Sequence, residues 1–228
     1  MTRLRLVIFD VDGTLVDSQG NILAAMEMCY AALGLAAPAP EATRAIVGLS
    51  LPEVFATLSP DLPETDRARL ATGYRDAFAT LRARNGAAAT APFFPGARAM
   101  LDRLAAEPDT LLAVATGKSR RGMAHLIEGH GLEGMFLSVQ TADTHPSKPH
   151  PSMIETCLAE TGVEARDAVM LGDTTYDMEM ARAAGVTPLA VGWGYHPVDR
   201  LAPLAAGLLH SWDDLPGHLE RLLTEDAR

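Results

Sequence analysis

The chain has 228 residues, 48% apolar and 21% charged, with 29 acids against 19 bases and a formal charge of -10. This is ordinary globular usage, at a length that supports one or two domains with a core held by neither metal nor disulfide. The figures argue against global disorder, collagen-like or solenoid repeats, and general binding of nucleic acid or anionic lipid; they leave room for a bound cation or a local positive pocket.

In chain order, the first element is Leu6-Val7-Ile8-Phe9, a short apolar run of strand formers such as a central parallel strand requires. Asp10-Val11-Asp12-Gly13-Thr14 follows it directly. The next stretch reads as helical. Ile22, Met26, Cys29 and Leu33 keep an i, i+4, i+7, i+11 stripe, and Val54, Leu58, Leu70, Tyr74, Phe78 and Leu81 continue in that style. Pro92-Phe93-Phe94-Pro95-Gly96 then supplies chain breakers. Beyond it, a helix over 97–106 leads to a strand over 111–115, and a helix over 119–130 stops at Gly131. A weaker strand over 136–140 and a helix over 151–161 follow. Next come a strand over 168–171, a helix over 177–184 and a strand over 188–191. A final amphipathic helix begins around Trp212-Asp213-Asp214-Leu215.

This alternation predicts an α/β fold, a Rossmann-like parallel sheet with helices on both faces. A βαβ unit takes roughly 30 residues, yet about a hundred separate the first two strands. The excess predicts an α-helical cap domain over 16–90, inserted into a sheet domain made of 1–15 and 91–228. The apolar stripe of the insertion reads as bundle core rather than a cofactor site.

Four short segments carry chemistry. Asp10 and Asp12 share a loop after the first strand, where ligands of open α/β sheets bind. Ala115-Thr116-Gly117-Lys118 offers a hydroxyl and backbone N–H groups between a strand end and a helix start, a setting suited to an anion. Lys148 sits in the proline-bound loop Pro146–Pro151, and Gly172-Asp173-Thr174-Thr175-Tyr176-Asp177 again follows a strand. Each alone has a plain explanation as a turn, a helix cap or solvated charge. Together they bring acids, a hydroxyl and a lysine to the strand ends, a donor set suited to Mg²⁺ and a phosphate group.

With these residues the chain resembles the haloacid dehalogenase superfamily of aspartyl-phosphate hydrolases. Asp-Val-Asp-Gly-Thr-Leu at 10–15 matches its first motif, Thr116 the second, Lys148 the third and Gly-Asp-Thr-Thr-Tyr-Asp at 172–177 the fourth. The resemblance implies Asp10 as nucleophile and Asp12 as general acid and base. It implies Mg²⁺ held by Asp10, the backbone carbonyl of Asp12 and Asp173. Thr116, Gly117 and Lys148 would bind the phosphoryl oxygens, and Asp177 would support the metal waters or Lys148. An acid at position 12 favours phosphoester over dehalogenase or phosphonate chemistry. Within the superfamily the chain looks most like the phosphoglycolate phosphatases and related pyrophosphatases, supported by Asp17-Ser18 and by Val191-Gly192-Trp193-Gly194-Tyr195-His196. Gly117 departs from the Asn that many phosphoglycolate phosphatases carry.

The expected function is therefore Mg²⁺-dependent hydrolysis of a small phosphorylated metabolite. A sugar-phosphate mutase resembling β-phosphoglucomutase, a pyrophosphatase, and a non-catalytic phospholigand-binding protein are the rivals. Neither a nucleic acid nor a membrane is expected as partner, and the chain is expected to be a monomer or homodimer. Cys29 and Cys157 read as buried free thiols, and no apolar run approaches a signal segment or a membrane span, so a cytoplasmic location is expected. Among the cap arginines Arg44, Arg67, Arg69, Arg75, Arg82 and Arg84, most are expected on a solvated face, with one free to reach a substrate carboxylate.

Overall fold

The computed structural model describes residues 4–225. Six parallel strands form its sheet: β1 (Arg5–Phe9), β2 (Thr110–Thr116), β3 (Ser138–Thr141), β4 (Ala168–Gly172), β5 (Thr187–Val191) and β6 (Gly207–Leu209). Their spatial order is β3-β2-β1-β4-β5-β6, which puts β1 at the centre between β2 and β4. The connections run outward from β1 in both directions, so the strand order reverses there. This is where an open α/β sheet leaves a crevice beyond its carboxyl ends.

Between β1 and β2 lie α1 (Gln19–Ala31), α2 (Pro40–Arg44), α3 (Leu51–Leu58), α4 (Glu64–Asn85), α5 (Ala87–Thr90) and α6 (Ala97–Ala105). The later helices are α7 (Arg120–His130), α8 (Ser152–Thr161), α9 (Thr175–Ala183), α10 (Val198–Leu201) and α11 (Leu215–Glu225). None of the described helices is long and apolar enough to cross a membrane.

The strands are buried on both faces, and the period of two sorts their side chains. Val7, Phe9, Leu112, Val114, Val169 and Leu171 pack on one face with Met100, Leu101, Leu104, Met123, Leu126 and Trp212. Leu6, Ile8, Ala113, Ala115, Ala168 and Met170 pack on the other with Met153, Ile154, Cys157 and Met180. Thus α6, α7 and the α11 end cover one side, and α8 and α9 the other.

The helices after β1 bury a cluster of their own. Met26, Cys29 and Tyr30 of α1 meet Val54 and Phe55 of α3 and Leu70 and Ala71 of α4, with Leu33, Leu58 and Tyr74 against them. Both cysteines are buried and free.

Two features differ from the sequence reading. The third strand starts at Ser138 rather than at Phe136, since Leu137 is 58% exposed and Phe136 packs only partly against the core. The short edge strand β6 was not foreseen, because Gly207-Leu208-Leu209 is too brief to show a period.

Candidate active site

Three neighbouring strands deliver the polar residues. Asp10 follows β1, Thr116 ends β2, and Asp173 follows β4. The Asp10 N–H donates to the Leu171 carbonyl at 2.9 Å, tying the first loop to the end of β4. Gly13 lies in this loop at φ +89°, and a Cβ there would run into the Asp173 carboxylate and the Tyr195 ring. A glycine is therefore required for the two loops to approach this closely.

Charge converges behind these loops. The Lys148 ammonium lies 2.8 Å from Asp10 Oδ1 and 2.6 Å from Asp177 Oδ1, and all three groups are buried. Asp177 Oδ2 accepts from the Thr174 backbone N–H at 3.0 Å and its hydroxyl at 2.7 Å, so one residue both caps α9 and holds the lysine. Asp173 Oδ1 accepts from the Thr14 hydroxyl at 2.9 Å, and Oδ2 from the Tyr195 N–H at 2.8 Å. Asp10 Oδ2 is buried, with no hydrogen-bond partner among the described residues.

Carboxylate oxygens of Asp10, Asp173 and Asp177 lie within 4.8 Å of one another. Burial pushes the Asp10 carboxyl up to about 6, against the attraction of Lys148 and with the repulsion of Asp177. Burial also raises Asp173, and the charges of Asp10 and Asp177 add to it. Burial alone would lower Lys148, but its two carboxylates outweigh that and hold the ammonium protonated. Three buried acids thus face one lysine. The excess negative charge and the orphaned Asp10 oxygen fit a hard divalent cation that takes oxygen ligands, as Mg²⁺ does. Asp177 has both oxygens committed to Lys148 and Thr174, which leaves Asp10 and Asp173 as the freer carboxylates.

Asp12 points away from this cluster. Lys118 Nζ bridges its two oxygens at 2.8 and 2.7 Å, and the Ser18 hydroxyl donates to Oδ1 at 2.5 Å. The Tyr195 hydroxyl stands 3.3 Å from Ser18, and the Phe78 ring centroid lies 5.4 Å from Lys118 Nζ. Sequence reasoning quoted Ser18, Lys118 and Tyr195 within their motifs but gave them no part in holding Asp12. Lys118 and Asp12 are 106 residues apart, and nothing local in the chain announces their pairing.

Thr116 is buried at the end of β2, its hydroxyl accepting from the Lys118 N–H at 3.2 Å. A Cβ on Gly117 would collide with the Gly48 carbonyl and come within 3.1 Å of the Leu49 oxygen. The 48–49 loop of the helical insertion therefore rests directly on the strand-end loop. Further contacts join the two parts. Ser50 N–H donates to the Ser147 hydroxyl at 2.8 Å, and the Tyr176 hydroxyl to the Ala45 carbonyl at 3.2 Å. His196 takes the Thr175 N–H on Nδ1 at 3.1 Å and bonds the same Ala45 carbonyl through Nε2 at 3.1 Å.

A cavity of about 320 Å³ opens between the helical insertion and the sheet, with Asp10, Asp12, Thr116, Gly117 and Lys118 at its polar end. Ile22, Met26, Val47, Val54, Tyr74 and Phe78 supply apolar wall. The helical stripe thus serves partly as bundle core and partly as cavity lining. Lys148 and Asp173 stand behind the polar end. His145 bonds Ser152 at 2.8 Å and Gln140 at 2.9 Å and takes no part in the cavity wall.

Residues 7–191 match the family model described as haloacid dehalogenase-like hydrolase. The chain is 37% identical over 198 residues to "Probable phosphatase IndB" of Dickeya dadantii (strain 3937), covering 86% of this chain and 84% of that one. It is 35% identical over 209 residues to a "Phosphoglycolate phosphatase" of Rhodospirillum rubrum, covering 88% and 86%. In three dimensions it superposes on β-phosphoglucomutase from Clostridium difficile with a TM-score of 0.82 at 15% identity, covering 98% and 99%. That last likeness speaks for the fold alone.

Proposed function

The chain belongs to the haloacid dehalogenase-like hydrolases, and from that membership we propose that it is a phosphatase cleaving a small phosphate monoester, of the phosphoglycolate type, through an aspartyl-phosphate on Asp10. The observation that carries this reading is the Asp10 carboxylate. It is buried at the polar end of a cavity, with one oxygen unpartnered and Asp12 two residues away on the same loop.

In the first half-reaction an Asp10 oxygen attacks phosphorus. The bond from phosphorus to the ester oxygen breaks, and Asp12 gives its proton to the departing alcohol. In the second, Asp12 takes a proton from water as that water attacks phosphorus. The bond to Asp10 breaks, releasing inorganic phosphate and restoring the carboxylate. Thr116, the Gly117 N–H and Lys148 bind the phosphoryl oxygens and balance their charge. Asp10, Asp173 and the Asp12 carbonyl would hold Mg²⁺. When bound, it would neutralise charge on the transferring group. Asp177 keeps Lys148 in place. Uncatalysed hydrolysis of phosphate monoesters is so slow that positioning and charge neutralisation of this kind must supply most of the rate.

The test is release of inorganic phosphate from a panel of phosphorylated metabolites, phosphoglycolate included, with Mg²⁺ and with a chelator. Release that depends on Mg²⁺ and stops in Asp10→Asn is expected. Return of the phosphoryl group to a second position of a sugar phosphate, with no free phosphate, would replace hydrolysis by mutase chemistry.

A further inference from the structure

The cavity wall carries charge that hydrolysis at Asp10 does not use. Arg82 of α4 and Arg121 of α7 both line it, one from each side of the seam between the helical insertion and the sheet. Among the described residues neither guanidinium makes an ion pair or a side-chain hydrogen bond. Arg75 of α4 lines the same cavity and is likewise without a pair among the described residues, whereas three other cap arginines are engaged. Arg44 bonds Gln19 at 3.1 Å and Glu41 at 3.3 Å, Arg69 pairs with Asp66 at 3.3 Å, and Arg67 reaches the Pro60 carbonyl at 3.5 Å. Asp76 and Asp143 stand on the same cavity wall without pairing to either guanidinium, and Asp143 instead accepts from the Arg120 N–H at 2.5 Å.

Both arginines line the one cavity, and Arg121 is exposed. Arg82 is half-buried, and loss of hydration, followed by the nearby charge of Arg121, pulls it below the usual guanidinium range. In a chain of net charge -10, two cations that line one cavity and pair with neither of its nearby acids, Asp76 and Asp143, are available to an anion.

Their position sets a length. Phe78 touches Lys118 at the polar end, and Arg82 stands one turn further along α4. A turn of four residues advances about 6 Å. The wall beside that step is apolar, with Met26, Phe78, Ala79 and Leu126 among its residues.

We propose that the preferred substrate is an extended phosphomonoester whose alcohol portion has an apolar middle and a second anionic end, carboxylate or phosphate, gripped between Arg82 and Arg121. This inference rests on the phosphatase reading above and narrows its substrate class.

The test uses two series of compounds. One is ω-phosphonooxy carboxylic acids of two to six carbons, and the other n-alkyl phosphates of the same lengths. Phosphate release is measured with the Mg²⁺-loaded protein and with Arg82→Gln/Arg121→Gln. Binding of both series to Asp10→Asn, and to that variant carrying the two Gln changes, is measured by calorimetry. The longer acids are expected to exceed their alkyl counterparts in kcat/KM by about tenfold or more, chiefly through KM, and the ratio should fall to within about twofold in the double variant. Equal use of both series, or a preference for the acids that survives the double variant, would overturn the inference. If wild type cleaves nothing, the binding arm decides. Tighter binding of the long acids that vanishes with the two arginines upholds the distal anion site while refuting the phosphatase reading. Equal binding of both series refutes the site.

Discussion

The two ends of the cavity are built on opposite plans. At the Asp10 end, polar side chains are sealed from water and locked by several partners. Asp177 serves Lys148 and Thr174, Asp173 is held by Thr14 and Tyr195, and Lys148 spans two carboxylates. Toward Arg82, the wall mixes apolar side chains with charge, helices α4 and α7 both form it, and among the described residues Arg82 and Arg121 make no pair. The first plan fixes geometry, because buried groups held by several partners have few alternative arrangements, and it leaves one Asp10 oxygen open. The second leaves a shaped, adaptable space that selects by fit and charge. On the proposed function, the strand ends would carry the chemistry, and the inserted helices together with α7 the selection.

Changes at the locked end should therefore have the larger effects. Asp10→Asn removes the nucleophile while keeping its shape, and steady-state phosphate release should fall by roughly 10³-fold or more. Lys148→Met leaves Asp10 and Asp177 buried without their cation. Besides loss of activity, urea denaturation should show destabilisation of about 3–5 kcal/mol. Full stability in that variant would mean that the lysine is not what compensates these acids.

Smaller effects probe the seam between the plans. Gly117→Asn puts a side chain where the Gly48 carbonyl now lies, so the 48–49 loop must lift. Overpacking of this kind costs about 1–3 kcal/mol. It should appear as a higher KM for substrates that reach the helical insertion, and much less for a minimal one such as acetyl phosphate. An equal loss for both would place the effect in the phosphate site instead. Ser18→Ala removes a hydrogen bond from Asp12 but leaves Lys118, and a loss of about fivefold in kcat is expected.

The mildest expectation concerns acid. His196, which joins the sheet side to the Ala45 carbonyl, titrates below its usual range because burial disfavours the cation. The unfolded chain protonates this ring near pH 6.5, and the folded chain at lower pH. The neutral ring's contribution to stability is thus whole above about 6.5 and shrinks as pH falls from there toward the folded value. Thermal unfolding of His196→Asn against wild type should show a gap that closes on acidification.

The same contrast governs what could be read from the chain. Asp10, Asp12, Thr116 and Asp173 stand out in the sequence because they end or follow strands, which announce themselves as apolar runs, and Lys148 because prolines bound its loop; the structure brings Lys148 to Asp10, and Asp10 close to Asp173. The sheet was legible from the same runs, except β6, whose three residues carry no pattern. The open end was not. A stripe such as Ile22, Met26, Tyr74 and Phe78 has one period whether it fills a bundle or lines a cavity. Which arginines of α4 line the cavity depends on residues distant in sequence. The Lys118–Asp12 pair was hidden for the same reason, being a product of topology rather than of any local motif.

The central claim is that Asp10 carries the phosphoryl group, and acid-quenched turnover followed by peptide mass spectrometry tests it most directly. During turnover, the peptide containing Asp10 is expected to gain the mass of one phosphoryl group, with the adduct on Asp10 and none in Asp10→Asn. Full turnover in Asp10→Asn, with no phosphoryl adduct on that peptide in either protein, would contradict it.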